Sequence, residues 1–162
     1  MAATNFVRGS VLKCSFPYVD RPSRPGPHPH YCLFVDSLEI RDRIYYAVCY
    51  GTSRLDEPLL ENHNGAIFSV DSSLIKGSPM SMRVTHFVCS HVAVIPDRWV
   101  YRNFQARLDF IRPEGRKGDR LRERMYDQFV LLEPLMEYEA LIAVNYVRKT
   151  GRPGLPGETT LR

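Results

Sequence analysis

The amino-acid sequence predicts a mainly β protein with helices at its C-terminal end (α+β), an antiparallel sheet or small barrel on which the helices pack. Three observations carry this. Short apolar segments, bounded by Gly, Pro, Asn, Asp or Ser, fill the chain as far as Pro96. Beyond Arg98 apolar residues recur at helical spacing instead. Strands that come first and helices that come last argue against the alternating order of a parallel βαβ sheet. With 162 residues and 44% hydrophobic content the chain can bury one core. It divides into a sheet unit (1–97), a helical extension packed on it within the same domain (98–150), and a flexible tail rich in Gly and Pro (151–162).

Taken in order, Val7 to Tyr18 (VRGSVLKCSFPY) reads as the first strand, ended by Pro17. Four prolines and a glycine make 19–29 a loop. Tyr31 to Ser37 is apolar on both faces, as a central strand is. LEIRDR (38–43) carries a turn, and Ile44 to Tyr50 (IYYAVCY) returns as the second arm of a hairpin that Gly51, Thr52 and Ser53 break. A polar loop (54–64), a strand from Gly65 to Val70 and a turn-rich segment (71–81) follow. Met82 to Cys89 alternates between faces, His91 to Ile95 continues as a strand, and Pro96 stops it. Tyr101 to Phe110 fits helix or strand, and RPEGRKGDR (112–120) a loop. Leu121, Met125, Phe129 and Leu132 then recur at helical spacing. Pro134 suits the first turn of a second helix that runs to Val147.

Composition narrows the function classes. No apolar run approaches the ~20 residues of a membrane span, and MAATNFVRGS has no apolar signal core, so a cytoplasmic protein without a membrane partner is expected. The net charge of +4 and pI near 9.0 permit nucleic-acid binding without establishing it. Cys14, Cys32, Cys49 and Cys89 form no CxxC pair and read as buried thiols. His86 and His91 are five apart, an odd spacing that puts them on opposite faces of a strand, so no metal and no cofactor are expected. GxGxxG, GxxxxGK[ST], HExxH and GxSxG motifs are absent, as is helix-turn-helix spacing.

One constellation stands out. RPGPHPHYCLFVDS (24–37) places His30 where the proline-rich loop becomes a strand. If that strand forms a hairpin with Ile44 to Tyr50, its start lies beside the end of its partner. His30, Thr52, Ser53 and Arg54 then share one mouth of the sheet, with Arg21, Arg24 and His28 in the loop above. Arg and hydroxyl donors suit a phosphodiester, and an imidazole moves protons near neutral pH. The same residues also read as an ordinary strand terminator and a loop histidine. A second stretch, Arg102 to Arg124, interleaves basic residues with Tyr101, Phe104 and Phe110, a pattern suited to single-stranded RNA or to a solvated helix face.

These residues resemble the opening of the MazF/PemK family of plasmid-maintenance and growth-inhibitor toxins. RGSVLKCSFPYVD, then a loop, HYCLFVDS and YYAVCYGTS follow that family's order of an RGDIV-like strand, an "F-P-x-x-D", a basic loop, an "RPxLVL"-like strand and a "GTS" ending. MRVTHFVCSHVAVIP is similar to its next strands, and the likeness covers roughly residues 6 to 97. The resemblance implies an SH3-like barrel, a homodimer, an acidic antitoxin partner and metal-independent cleavage of single-stranded RNA by 2′-hydroxyl attack. It assigns catalysis to Thr52 and to an arginine position where His30 stands, with Arg24 as a source of the missing charge. Ser53, Arg54, Arg21 and His28 would bind RNA. The alternative is a non-catalytic module of the same fold, from a phage or mobile element, that binds a host protein or nucleic acid.

Overall fold

The computed structural model describes residues 6, 9–57, 67–71, 84–107 and 116–155. Six strands form one antiparallel sheet: β1 (Ser10–Cys14), β2 (His30–Ile40), β3 (Arg43–Thr52), β4 (Ile67–Asp71), β5 (Val84–Pro96) and β6 (Val100–Arg107). Their order is β4-β5-β3-β2-β1-β6, and one helix, α1 (Arg116–Thr150), follows. The sheet is open, because the edge strands β4 and β6 do not pair, and the closed barrel implied by the resemblance is not formed. It is nevertheless sharply curled. β5 and β6 stand four strand steps apart, ~19 Å in a flat sheet. Only the 3-10 turn Asp97–Trp99 joins them, and four residues span at most ~14 Å.

Both faces are buried, which is why β2, β3 and β5 read as continuous apolar runs. On one face Val11, Leu33, Ala47, Cys49, Val92 and Val94 pack with Leu132, Met136, Ala140, Ala143 and Val147 of α1. Ala140 and Ala143 keep that face of the helix small. On the other face Leu12, Cys14, Phe16, Cys32, Phe34, Tyr46, Val48 and Trp99 form a second cluster. All four cysteines are buried and free, two in each cluster. Among the described residues no helix is long and apolar enough to cross a membrane.

The hairpin turn is shorter than the sequence suggests. Pairing continues to Ile40 opposite Arg43, leaving Arg41 (φ 51°) and Asp42 (φ 61°) as a two-residue left-handed turn. A turn with both central φ positive matches the twist of the strands, so the ladder runs to its edge. β5 is one strand rather than two, with an irregularity inside it. Cys49 faces Val92 while the next residue, Tyr50, faces Val88, so Cys89, Ser90 and His91 are extra. This bulge resets the alternation. His91 therefore packs against Phe16 and Tyr50, on the same face as His86 rather than the opposite one.

Three expectations for the C-terminal part change. The extension begins with a strand, since β6 pairs with β1 and belongs to the sheet. One helix replaces two, because Pro134 lies inside α1. Its ring removes the bond to the carbonyl of residue 130, yet Pro134 is exposed and the helix continues through it. The tail is packed as far as residue 155. Gly151 (φ 67°) ends the helix, its N–H donating to the Val147 carbonyl at 2.7 Å. Gly154 then donates to the Val94 carbonyl at 2.8 Å and is buried against Val94 and Ala143. β4 pairs with β5 only as far as Val88, and Gly154 bonds to β5 beyond that point, at Val94. The rest of the tail (156–162) lies outside the described residues, as do most of the 54–64 loop and the 71–81 segment.

Candidate functional site

β2 and β3 pair with Leu33 opposite Cys49 and Phe34 opposite Val48. Carried outward, that register sets His30 against Thr52, the first residue of one strand and the last of the other. The sequence spacing predicts this juxtaposition. Gly51 is what allows it: a Cβ there would collide with the Tyr31 carbonyl oxygen and come within 3.2 Å of the Phe87 ring. Only a residue without a side chain lets the two backbones close this tightly.

The strand ends open into a cleft of about 690 Å³. Lys13, His28, Pro29, His30, Tyr31, Tyr50, Gly51, Thr52, Ser53, Arg54 and Thr85 line it. Among the described residues the lining thus holds two fixed cations, two imidazoles and five side-chain hydroxyls, and no carboxylate.

His30 is held from two sides. Its Nδ1 lies 3.0 Å from the Gly51 carbonyl oxygen. A carbonyl only accepts, so the proton is assigned to Nδ1, and Nε2 carries the lone pair. Its ring packs on Tyr50 at 4.9 Å between centroids. Tyr50 in turn rests on Phe16 at 5.2 Å and on His91 at 5.1 Å, so the β5 bulge supplies part of this support. Burial holds the His30 pKa below its ordinary 6.5; the Gly51 carbonyl pulls the other way and His28 adds to the lowering. The ring is neutral at pH 7, with Nε2 free to accept a proton.

Thr52 ends β3 with its Oγ1 accepting the Arg54 N–H at 3.1 Å. That bond folds residues 52–54 into a turn that brings Ser53 and Arg54 to the rim, and the Thr52 hydroxyl also bonds the Tyr50 phenol. Burial raises the Tyr50 phenol, with the Thr52 hydroxyl opposing. Beyond Thr52 the polar row continues across the sheet. Thr52 pairs with His86, and His86 with Ser69, whose Oγ lies 2.6 Å from the His86 Nδ1.

Of the seven residues assigned from the sequence, the cleft brings together His28, His30, Thr52, Ser53 and Arg54. Arg21 and Arg24 are exposed and are not in its lining. The reason is in the loop. Gly26 is buried so tightly against the Phe16 carbonyl that a Cβ would not fit, which folds the chain back over the end of β1. His28 and Pro29 reach the cleft, while Arg21 and Arg24 stay in turns on the outer side, their N–H groups bonded to the Tyr18 and Arg21 carbonyls. The nearest acid to Arg21 is Asp20 at 3.8 Å.

Lys13, Tyr31, Tyr50 and Thr85 were not among those seven. Lys13 is the polar member of the alternation in VLKC and pairs with Tyr31. Its Nζ sits 5.7 Å from the ring centroid of Tyr101 on β6. Nothing local marks Lys13 or Thr85, because each reaches the cleft through a different long-range pairing. Among the described residues no group of three or more His, Cys, Asp or Glu side chains could hold a metal ion. In the basic stretch Arg102 to Arg124, residues 108–115 and the other side chains lie outside the described part. No family model matches the chain, and no curated protein matches it.

Proposed function

We propose that the protein is a metal-independent endoribonuclease of MazF/PemK-like kind, cutting single-stranded RNA by attack of a 2′-hydroxyl on the adjacent phosphodiester. The observation that carries this is a single cleft holding Lys13, Arg54, His28, His30 and Thr52 with no carboxylate in its lining. Such a surface attracts an anion and supplies both proton-transfer groups and charge stabilisation. His30 Nε2 takes the proton from the 2′-hydroxyl. The O2′–P bond forms as the P–O5′ bond breaks, and His28 gives a proton to the leaving O5′. The products are a 2′,3′-cyclic phosphate and a 5′-hydroxyl. Lys13 and Arg54 offset the charge on the phosphoryl oxygens, and the Thr52 and Ser53 hydroxyls donate to them.

This scheme differs from the one implied by the family resemblance. The fixed charge comes from Lys13 and Arg54 rather than Arg24, while His30 keeps its part in proton transfer. A homodimer, an acidic antitoxin covering the basic cleft, and a cytoplasmic location belong to the same reading.

The test is incubation with a long single-stranded RNA in EDTA, followed by end-group analysis. Wild type is expected to leave 2′,3′-cyclic phosphate ends, and His30→Ala and Thr52→Ala to leave the RNA intact. The second reading, a binding module, is favoured by the position of Arg24 outside the cleft. RNA bound by wild type but never cut would establish it instead.

A further inference from the structure

Thr85 is the cleft residue that the mechanism leaves unused. It lies on β5 one residue beyond the His86–Thr52 pair, opposite the continuation of β3 toward Ser53. It is 2% exposed, and its Oγ1 has no hydrogen-bond partner among the described residues although the side chain lines the cleft. A buried hydroxyl without a partner destabilises the free protein. A valine would fill the same volume without that penalty. That hydroxyl is enclosed in the free protein, just behind the cleft wall that Thr85 helps to line.

We infer that the Thr85 hydroxyl binds the polar edge of a nucleobase next to the scissile phosphodiester, so that this end of the cleft selects the base. The inference rests on the single-stranded RNA reading above. A base edge fits better than a phosphate on physical grounds. Any group meeting Thr85 must shed its water, and desolvating an ion costs far more than desolvating a neutral amide-like edge. The phosphate is better served by Ser53 and Arg54, which are exposed. Tyr31, half-buried in the same lining, offers a ring on which a base can stack. A hydroxyl both donates and accepts, so Thr85 meets any base, and the shape of its surroundings decides which is preferred.

The test compares Thr85→Val and Thr85→Ser with wild type. Two quantities are measured: thermal melting of the free protein, and affinity for four homopolymeric RNA oligonucleotides at a pH low enough that His30 is protonated and cleavage is suppressed. Wild type is expected to prefer one homopolymer. Thr85→Val should bind that one about tenfold more weakly, the effect of one lost hydrogen bond, while melting at the same temperature or higher. Thr85→Ser should retain the preference. Two results would overturn the inference while leaving RNA binding in place: Thr85→Val binding like wild type, or Thr85→Val melting lower, which marks a structural hydroxyl. Failure of wild type to bind any of the four would remove the RNA reading, and this inference with it.

Discussion

His30 has two ring nitrogens with different partners, and that asymmetry is what makes it a base. Nδ1 is fixed by the Gly51 carbonyl, so the proton cannot move to the other nitrogen without losing that bond. The lowered pKa has a consequence for stability. The folded state holds His30 neutral, whereas the unfolded chain titrates near the ordinary 6.5. Below that pH the unfolded state binds more protons, so stability is full above about pH 6.5 and is lost as the pH falls through and below it. His86, also lowered by burial, acts with the same sign. Urea unfolding at pH 5 and pH 7.5 should therefore show a smaller pH difference in His30→Gln than in wild type, with the His86 share remaining. The meeting of His30 with Thr52 is legible in the sequence because the two sit at about the same distance from one hairpin turn. Lys13 and Thr85 are not, because their places depend on β1–β2 and β3–β5 registers that no local pattern states.

At the scale of elements, local rules succeed where one signal acts alone and fail where packing overrides it. Strand β2 is read correctly from its apolar run. Pro134 is read as the start of a helix, yet α1 runs through it, with Leu132 before it and Met136, Ala140, Ala143 and Val147 after it packed on the same sheet face. The β5 bulge has no sequence signal at all, and it reverses the faces assigned to His86 and His91. The helix end does carry one, in Gly151. Its φ of 67° is strained for any other residue, and a Cβ would lie 3.1 Å from an Arg41 guanidinium nitrogen. Gly151→Ala is expected to lower stability by about 1 kcal/mol, measured as a shifted urea midpoint with unchanged slope.

At the scale of the molecule, the curl of the sheet and the docked tail account for what composition could not show. Composition makes 151–162 a loose end, but its described part, residues 151–155, is packed. Gly154 fits against β5 because it has no Cβ to meet the Val94 backbone nitrogen at 3.1 Å, and its N–H bonds to β5 beyond the stretch that β4 pairs. Ending the chain after Thr150 should lower the melting temperature by about 3 °C or more, as loss of ~1 kcal/mol does in a domain of this size. It should also increase aggregation through the bared β5 edge, read by light scattering on heating. The cleft lies at the opposite end of β3 from the Arg41–Asp42 turn, so this variant is expected to keep any RNA-cleaving activity below its melting temperature.

The most direct test of the central claim is the pH–rate profile for cleavage of single-stranded RNA in EDTA, for wild type and His30→Gln. Wild type should lose activity as the pH falls, with an acid limb below pH 6.5, because Nε2 must be unprotonated to act. In His30→Gln that limb should vanish along with most of the rate, at about 100-fold or more below wild type. A folded wild-type protein that cuts no RNA at any pH, or a His30→Gln profile that matches wild type, would contradict the assignment of the cleft as a His30-based ribonuclease site.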